Sequence, residues 1–347
     1  MNKKISILKY RAILGIALFL GAILFTWGGH VINYERDDSR RIFSPQEYNP
    51  SGLHPTHNIN TTSTVEIVGR EDVVFMQPEF RRPILSPISA EYKQQLMNFS
   101  YLTNRIFLVD PSTILLPSDI NVPYFLEADL TIDTSVDGPL VLVFHAHSGE
   151  MFIDSDPNNP MTGVMGVGRY LAEILTNQYG IETIHYTGRF DFVDGRPHRP
   201  GSYERMEPVI RQILEDNPSI QVVIDLHRDG VGEHLPPFVT YIDGVRTAQI
   251  MFFNGLSRQN RSGQVTALEW LYNPYQQENL NFSFRLQLAA NQLYPGITRR
   301  IYLRAFRYSL HMLPLSTLVE IGNQHNTLQD ALNAMHPLAN IIAAVVT

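Results

Sequence analysis

The chain alternates between long polar stretches and short, largely apolar runs, and the spacing of these runs changes near residue 138. Before that point the pattern is irregular. Val65 to Val68, Val73 to Met76 and Ile106 to Val109 read as short strands, and Ala90 to Leu102 as a helix. After it, a continuous apolar run at Pro139–Phe144 is followed by further strand-like runs rich in apolar residues at Ile181–Tyr186, Ile220–Leu226, Ala248–Asn254 and Ser316–Ile321. Between them lie amphipathic segments with apolar residues three and four apart, the signature of helices with one buried face. These are Gly163–Tyr179, Tyr203–Asn217, Leu280–Leu293 and Leu328–Val346. Gly180 follows the first, where a left-handed cap favours glycine. Pro218 stops the second, and Asn326 with Gln329 suits a capping box on the last. Strands without polar alternation are covered on both faces. The expectation is an α/β fold with a mostly parallel sheet flanked by helices on both faces.

The N-terminus adds a different element. Lys3, Lys4, Lys9 and Arg11 precede a low-polarity stretch, 12–32, long enough to span a bilayer as a helix. Flanking positive charge holds such a terminus in the cytoplasm. The run lacks an A-x-A site, which favours an uncleaved anchor over a cleaved signal peptide. The organisation expected is a cytoplasmic tail (1–11), a transmembrane helix (12–32), a polar linker (33–62), an accessory or partner-binding segment (63–132) and a catalytic domain (133–347) placed outside the cell membrane. The formal charge of −7 argues against a nucleic-acid partner. The chain has no cysteine, so any metal site must use imidazole and carboxylate ligands.

Such ligands end three of the apolar runs. VLVFHAHSGE carries His145, His147 and Glu150; IQVVIDLH ends in His227; LSTLVE ends in Glu320. His147 and Glu150 have the H-x-x-E spacing common at zinc carboxypeptidase-type sites. Carboxyl ends of parallel strands are where ligands bind in open α/β sheets. A catalytic zinc needs three protein ligands and an open position for water. His147, Glu150 and His227 supply those ligands (Zn2+), and Glu320 supplies the base and acid. His145 and His147 alternate by two, so either can face the site. His147 is preferred because its spacing to Glu150 suits a turn after the strand, leaving His145 to orient a ligand or contact substrate. Asp225 shares a strand face with His227 and is placed to hold its imidazole. Arg228 is a candidate for a substrate carboxylate or a developing oxyanion. In the bland reading, Arg228 and Asp229 pair with neighbours and Glu320 pairs with an arginine. The polar loop from Gly188 to Arg205 is placed to line a groove through Tyr203, Arg205 or His198.

The ordered set FHAHSGE, NPSIQVVIDLHRDGV, the Ala248–Phe253 strand and LVEIGNQHNTLQDA resembles the stage II sporulation protein P family over residues 138–347. That resemblance implies a membrane-anchored, zinc-dependent N-acetylmuramoyl-L-alanine amidase fold acting on peptidoglycan during sporulation, with endopeptidase activity also attributed to the family. It implies a sporulation lytic transglycosylase and a membrane recruiting protein as partners. Carried onto this chain, it marks His145, His147, Glu150, His227 and Glu320. Ala146 stands where the family usually has Thr or Ser. Two rival readings are a zinc peptidase acting on stem peptides and a non-catalytic scaffold tethered to the membrane.

Overall fold

The computed structural model describes residues 65–67 and 83–347. The expected tail, anchor and linker, and the strand expected at Val73–Met76, lie outside the described residues. Among the described residues no helix is long and apolar enough to cross a membrane.

Eight strands form one sheet. They are β1 (Val65–Ile67), β2 (Phe107–Val109), β3 (Val141–Phe144), β4 (Thr183–Tyr186), β5 (Val222–Asp229), β6 (Ile250–Gly255), β7 (Ile301–Arg304) and β8 (Leu315–Asn323). Their order across the sheet is β1-β4-β3-β5-β8-β6-β7-β2. Strands β4, β3, β5 and β8 run parallel. Strand β6 is antiparallel to β8 and carries β7 and β2 parallel to itself. The sheet is therefore mixed but mostly parallel. Both edge strands come from residues before 133, so the accessory segment is built into the sheet.

The helices are α1 (Ala90–Leu96), α2 (Phe99–Arg105), α3 (Val122–Glu127), α4 (Val164–Tyr179), α5 (Ser202–Asp216), α6 (Gln276–Leu293), α7 (Leu328–Asn333) and α8 (Met335–Val346). One face of the sheet, through Val141, Val143, Ile224 and Val319, packs on Leu171 of α4, Phe284 of α6 and Ile342 of α8. The other, through Leu142, Phe144 and Val223, packs on Met206, Ile210 and Ile213 of α5. Burial on both faces is why these strands are rich in apolar residues without a regular polar alternation.

Local chemistry sets the ends. Gly180 takes φ 69°, the left-handed cap its position predicts. The helix expected over Ala90–Leu102 is two helices, because the Asn98 side chain accepts from Tyr101 N–H and starts a second one. The terminal helix is likewise two. Its cap is Thr327 paired with Asp330, one residue later than the Asn326–Gln329 box expected from sequence. Three short hairpins, Phe192–Pro197, Val239–Ala248 and Arg258–Ala267, interrupt the α/β pattern. The short segment Val231–Leu235 groups apart from this body and closes its own turn from Leu235 N–H to Gly232 O.

Candidate active site at the carboxyl ends of three parallel strands

Strands β3, β5 and β8 are neighbours, so their carboxyl ends bring His147, Glu150, His227 and Glu320 to one edge of the sheet. Glu320 is the register partner of His227, which puts both side chains on the α5 face. Just beyond Glu320 the pairing slips before Asn323. Gly322 takes φ +57° there, and a Cβ on it would stand 2.4 Å from Asn326 Oδ1. An irregularity of this kind bends the strand end that carries the carboxylate.

Glu150 is the hub. Its Oε2 lies 3.2 Å from His227 Nδ1 and accepts from Arg228 N–H at 3.0 Å; its Oε1 accepts from Arg199 Nη2 at 2.9 Å. His227 Nε2 donates to Asp225 Oδ1 at 2.7 Å, so Nδ1 is the ring atom left to face Glu150. Asp225, fully buried, also accepts from Ala146 N–H at 2.9 Å and from Ser309 Oγ at 2.8 Å. His147 lies alongside: its ring is 5.4 Å from that of His227 and 5.5 Å from that of Tyr203, both edge-to-face. Its Nδ1 is 3.3 Å from Ser202 Oγ at the start of α5.

His145 goes elsewhere. It continues the Val141–Val143 face and lies beneath α4, whereas the chain turns His147 over to the α5 face. His145 Nδ1 donates to Leu226 O at 2.7 Å, and Nε2 is 2.9 Å from His185 Nε2. Both its nitrogens are thus engaged within the protein, in a position that steadies β5 next to His227. The Arg228 guanidinium is turned onto the main chain, donating to Met151 O at 3.0 Å and Asp229 O at 3.2 Å. Asp229 pairs with Arg299 at 2.7 Å.

The electrostatics follow from burial and charge. Burial lowers His147 to about 3 and His145 to about 4, leaving both neutral imidazoles at physiological pH. Burial also pushes His227 down, but the Asp225 and Glu150 carboxylates outweigh it and hold His227 well above its ordinary value. Burial would raise Glu150; the charges of His227 and Arg199 overcome it and keep the carboxyl well below its usual range. Glu320 behaves oppositely. Burial, with the Asp229 charge next, raises it to about 8. Its Oε2 is buried without a hydrogen-bond partner.

Among the described residues no three His, Asp or Glu side chains form a ready-made metal group. The donor chemistry nevertheless suits zinc. Two ligands of one tetrahedral zinc, each with a bond of ~2.1 Å, stand about 3.4 Å apart, close to the Glu150 Oε2–His227 Nδ1 separation. The Asp225–His227 bond is the carboxylate–imidazole contact typical behind a metal-bound histidine.

The loop between β4 and α5 supplies partners that sequence reasoning did not single out. Asp191 accepts from Ser148 Oγ at 2.6 Å and Gly149 N–H at 2.8 Å, gripping the turn between His147 and Glu150. Arg199 reaches Glu150 itself. Arg205, a candidate for the groove, instead braces the loop by donating to the carbonyls of Phe190, Pro200 and His198. No local signal marks Asp191 or Ser309, since each acts across more than forty residues of sequence.

A family model for stage II sporulation protein P (SpoIIP) matches residues 87–343. The chain belongs to that family. Stage II sporulation protein P of Bacillus subtilis (strain 168) is 21% identical over 228 residues, covering 60% of this chain and 52% of that protein. The chain thus spans about half the length of this relative. Among solved structures, the CwlD amidase of Clostridioides difficile, determined with the GerS lipoprotein, is 13% identical, with 59% of this chain and 94% of that chain covered and a TM-score of 0.35. The N-acetylmuramoyl-L-alanine amidase AmiC2 of Nostoc punctiforme is 16% identical, with 60% and 97% covered and a TM-score of 0.32.

Proposed function

We propose that this SpoIIP-family protein is a zinc-dependent hydrolase of peptidoglycan that cleaves the amide between N-acetylmuramic acid and the L-alanine of the stem peptide. The observation that carries the reading is Glu320: its Oε2 is buried without a hydrogen-bond partner, its carboxyl is raised to about 8, and it lies on the strand face it shares with His227. A carboxylate oxygen left without a partner in the interior, beside a candidate ligand cluster, suits a role in proton transfer.

His147, Glu150 and His227 would hold the zinc, which when bound supplies an acidified water and polarises the scissile carbonyl. With the Nδ1 proton given up to a metal, Asp225 would hold the remaining proton of His227 on Nε2. Arg199 and the Arg228 N–H fix the two oxygens of Glu150. Glu320, in its ionised form, would take a proton from the attacking water and return it to the departing amine; the environment that raises its carboxyl favours keeping that proton between the two steps. Gly149 and Ser148, clamped by Asp191, keep the His147–Glu150 turn rigid. In this reading residues 12–32 anchor the enzyme with its site on the wall side. A lytic transglycosylase then cuts the denuded glycan, and a membrane protein recruits the pair.

The test is digestion of purified sacculi by the protein, with and without a zinc chelator, read by mass spectrometry. Release of intact stems and bare glycan, abolished by chelator and restored by zinc, supports the amidase. Shortened stems would replace it with a peptidase. No chelator-sensitive release from sacculi would overturn the hydrolase and leave a scaffold.

A further inference from the structure

Three histidines stand at or beside the site, and each has a ring nitrogen fixed by a neighbouring group. Asp225 and the Leu226 carbonyl can only accept, so His227 Nε2 and His145 Nδ1 each carry a proton. His147 differs. Its Nδ1 lies 3.3 Å from Ser202 Oγ, a hydroxyl able either to donate or to accept. A neutral imidazole has one N–H and one lone pair, so the role Ser202 takes decides which nitrogen keeps the lone pair. Among the described residues this is the one hydrogen bond of the His147 ring, and Nε2 meets no partner.

Ser202 is held firmly in place. It is 2% exposed and opens helix α5, where Gly201 takes φ 74° to turn the chain into the first turn. Its N–H donates to Arg199 O at 3.2 Å. Three residues on, Arg205 donates to Pro200 O at 2.9 Å and to the His198 and Phe190 carbonyls, tying the loop to the helix. Met206, Ile210 and Ile213 seat α5 on the sheet, so the hydroxyl is fixed relative to β3. The neighbouring Tyr203 ring meets that of His147 edge-to-face at 5.5 Å, and the His227 ring does so at 5.4 Å; together they set the plane of the imidazole.

With Nδ1 taken by Ser202, Nε2 is the nitrogen left for the Glu150–His227 cluster. His147 is buried, and a proton on Nε2 would make an interior N–H without an acceptor, the rarer kind of orphan. We propose that Ser202 is a positioning residue: it accepts from His147 Nδ1–H and so keeps the Nε2 lone pair for the metal. The inference rests on the zinc reading above for its purpose and on the Ser202–His147 contact for its chemistry. A hydroxyl then does for His147 what the Asp225 carboxylate does for His227, without a second negative charge behind the ligands.

The experiment records ring-nitrogen chemical shifts at neutral pH in the full chain, carrying isotope-labelled histidine and freed of metal by chelator. Wild type, Ser202→Ala and Ser202→Thr are compared, and the signals lost in His147→Asn identify the ring. Wild type should show His147 as the Nδ1–H tautomer, a signature that a purely structural role for Ser202 does not require. Ser202→Ala should move the ring towards the Nε2–H form, whereas Ser202→Thr, which keeps a hydroxyl, should hold the wild-type pattern. Zinc affinity, by competition with a chromogenic chelator, should weaken about tenfold in Ser202→Ala and stay within about twofold in Ser202→Thr. An Nε2–H tautomer in wild type overturns the inference, as does a tautomer or a zinc affinity unchanged in Ser202→Ala. If no form binds zinc, the metal reading fails instead, and the tautomer shift alone decides the role of Ser202.

Discussion

Gly168 in the middle of helix α4 lies directly against the ring of His145, so close that a Cβ at 168 would stand 2.5 Å from Cε1 and 3.1 Å from His185 Nε2. Replacing a mid-helix glycine with alanine ordinarily stabilises a protein by about 0.5–1 kcal/mol. Here the new methyl must displace a buried imidazole pair, an overpacking that costs about 1–3 kcal/mol. The second effect is larger, so Gly168→Ala should destabilise by denaturant titration. Because His145 holds the Leu226 carbonyl next to His227, the variant should also lose activity. A gain in stability with normal activity would show that the pair yields freely.

Glu320 gives a pH signature in chelator-treated protein. Its carboxyl is raised from 4.5 to about 8 on folding. Between those values the native state keeps a proton that the unfolded chain releases, so stability falls as pH rises, on the order of 1 kcal/mol per pH unit. Glu320→Gln removes that dependence. The variant should show a flatter stability curve from pH 5 to 8 while converging with the parent at lower pH. Its turnover should fall by about 10²–10⁴-fold with zinc still bound. Parallel stability curves for the two proteins would contradict a Glu320 carboxyl raised by its surroundings.

Asp225→Asn tests the support behind His227. The fully buried carboxylate receives three donors, from His227, Ala146 and Ser309, and an amide in its place puts an N–H₂ group against at least one of them. Losing the charge also weakens the basicity of the imidazole. Zinc affinity, measured by competition with a chromogenic chelator, should drop about 10–100-fold, with circular dichroism unchanged. Undiminished affinity would remove His227 from the ligand set.

How much of this was legible in sequence depends on whether the signal is local. The runs of β3, β5 and β8 are largely apolar because both sheet faces are covered, and the residues at or just beyond their carboxyl ends announce the site. Strand β7, Ile301–Arg304, alternates buried and half-buried residues at the end of a polar segment, and no periodicity separates it from a loop. The polar first turn of α6, Gln276–Asn279, reads as loop, yet Asn279 is buried and donates to the carbonyls of Leu313 and Pro314. The choice between His145 and His147 was open because alternation assumes an unbroken strand, and β3 ends at Phe144. Contacts such as Arg199–Glu150 and Ser309–Asp225 arise only when distant loops converge.

Asn326 shows the same limit and yields a last prediction. Sequence makes it a helix cap with Gln329; the structure makes it a buried joint. Its Oδ1 accepts from Phe238 N–H and Asn323 N–H, and its Nδ2 donates to Phe238 O and Asp330 Oδ2. Removing that side chain leaves several main-chain groups unpaired in the interior, each costing about 1–3 kcal/mol. Thr327 is the cap in fact, accepting from Asp330 N–H at 3.1 Å, and its loss should cost about 1 kcal/mol. Gln329 donates only to Asn333 on the exposed face, and its removal should cost less than about 0.5 kcal/mol. Chemical denaturation of the three alanine variants should therefore rank Asn326→Ala well above Thr327→Ala, and Thr327→Ala above Gln329→Ala. If Gln329→Ala were as damaging as Thr327→Ala, the cap would belong one residue earlier, and the anchorage of the strand end that carries Glu320 would have to be reassigned.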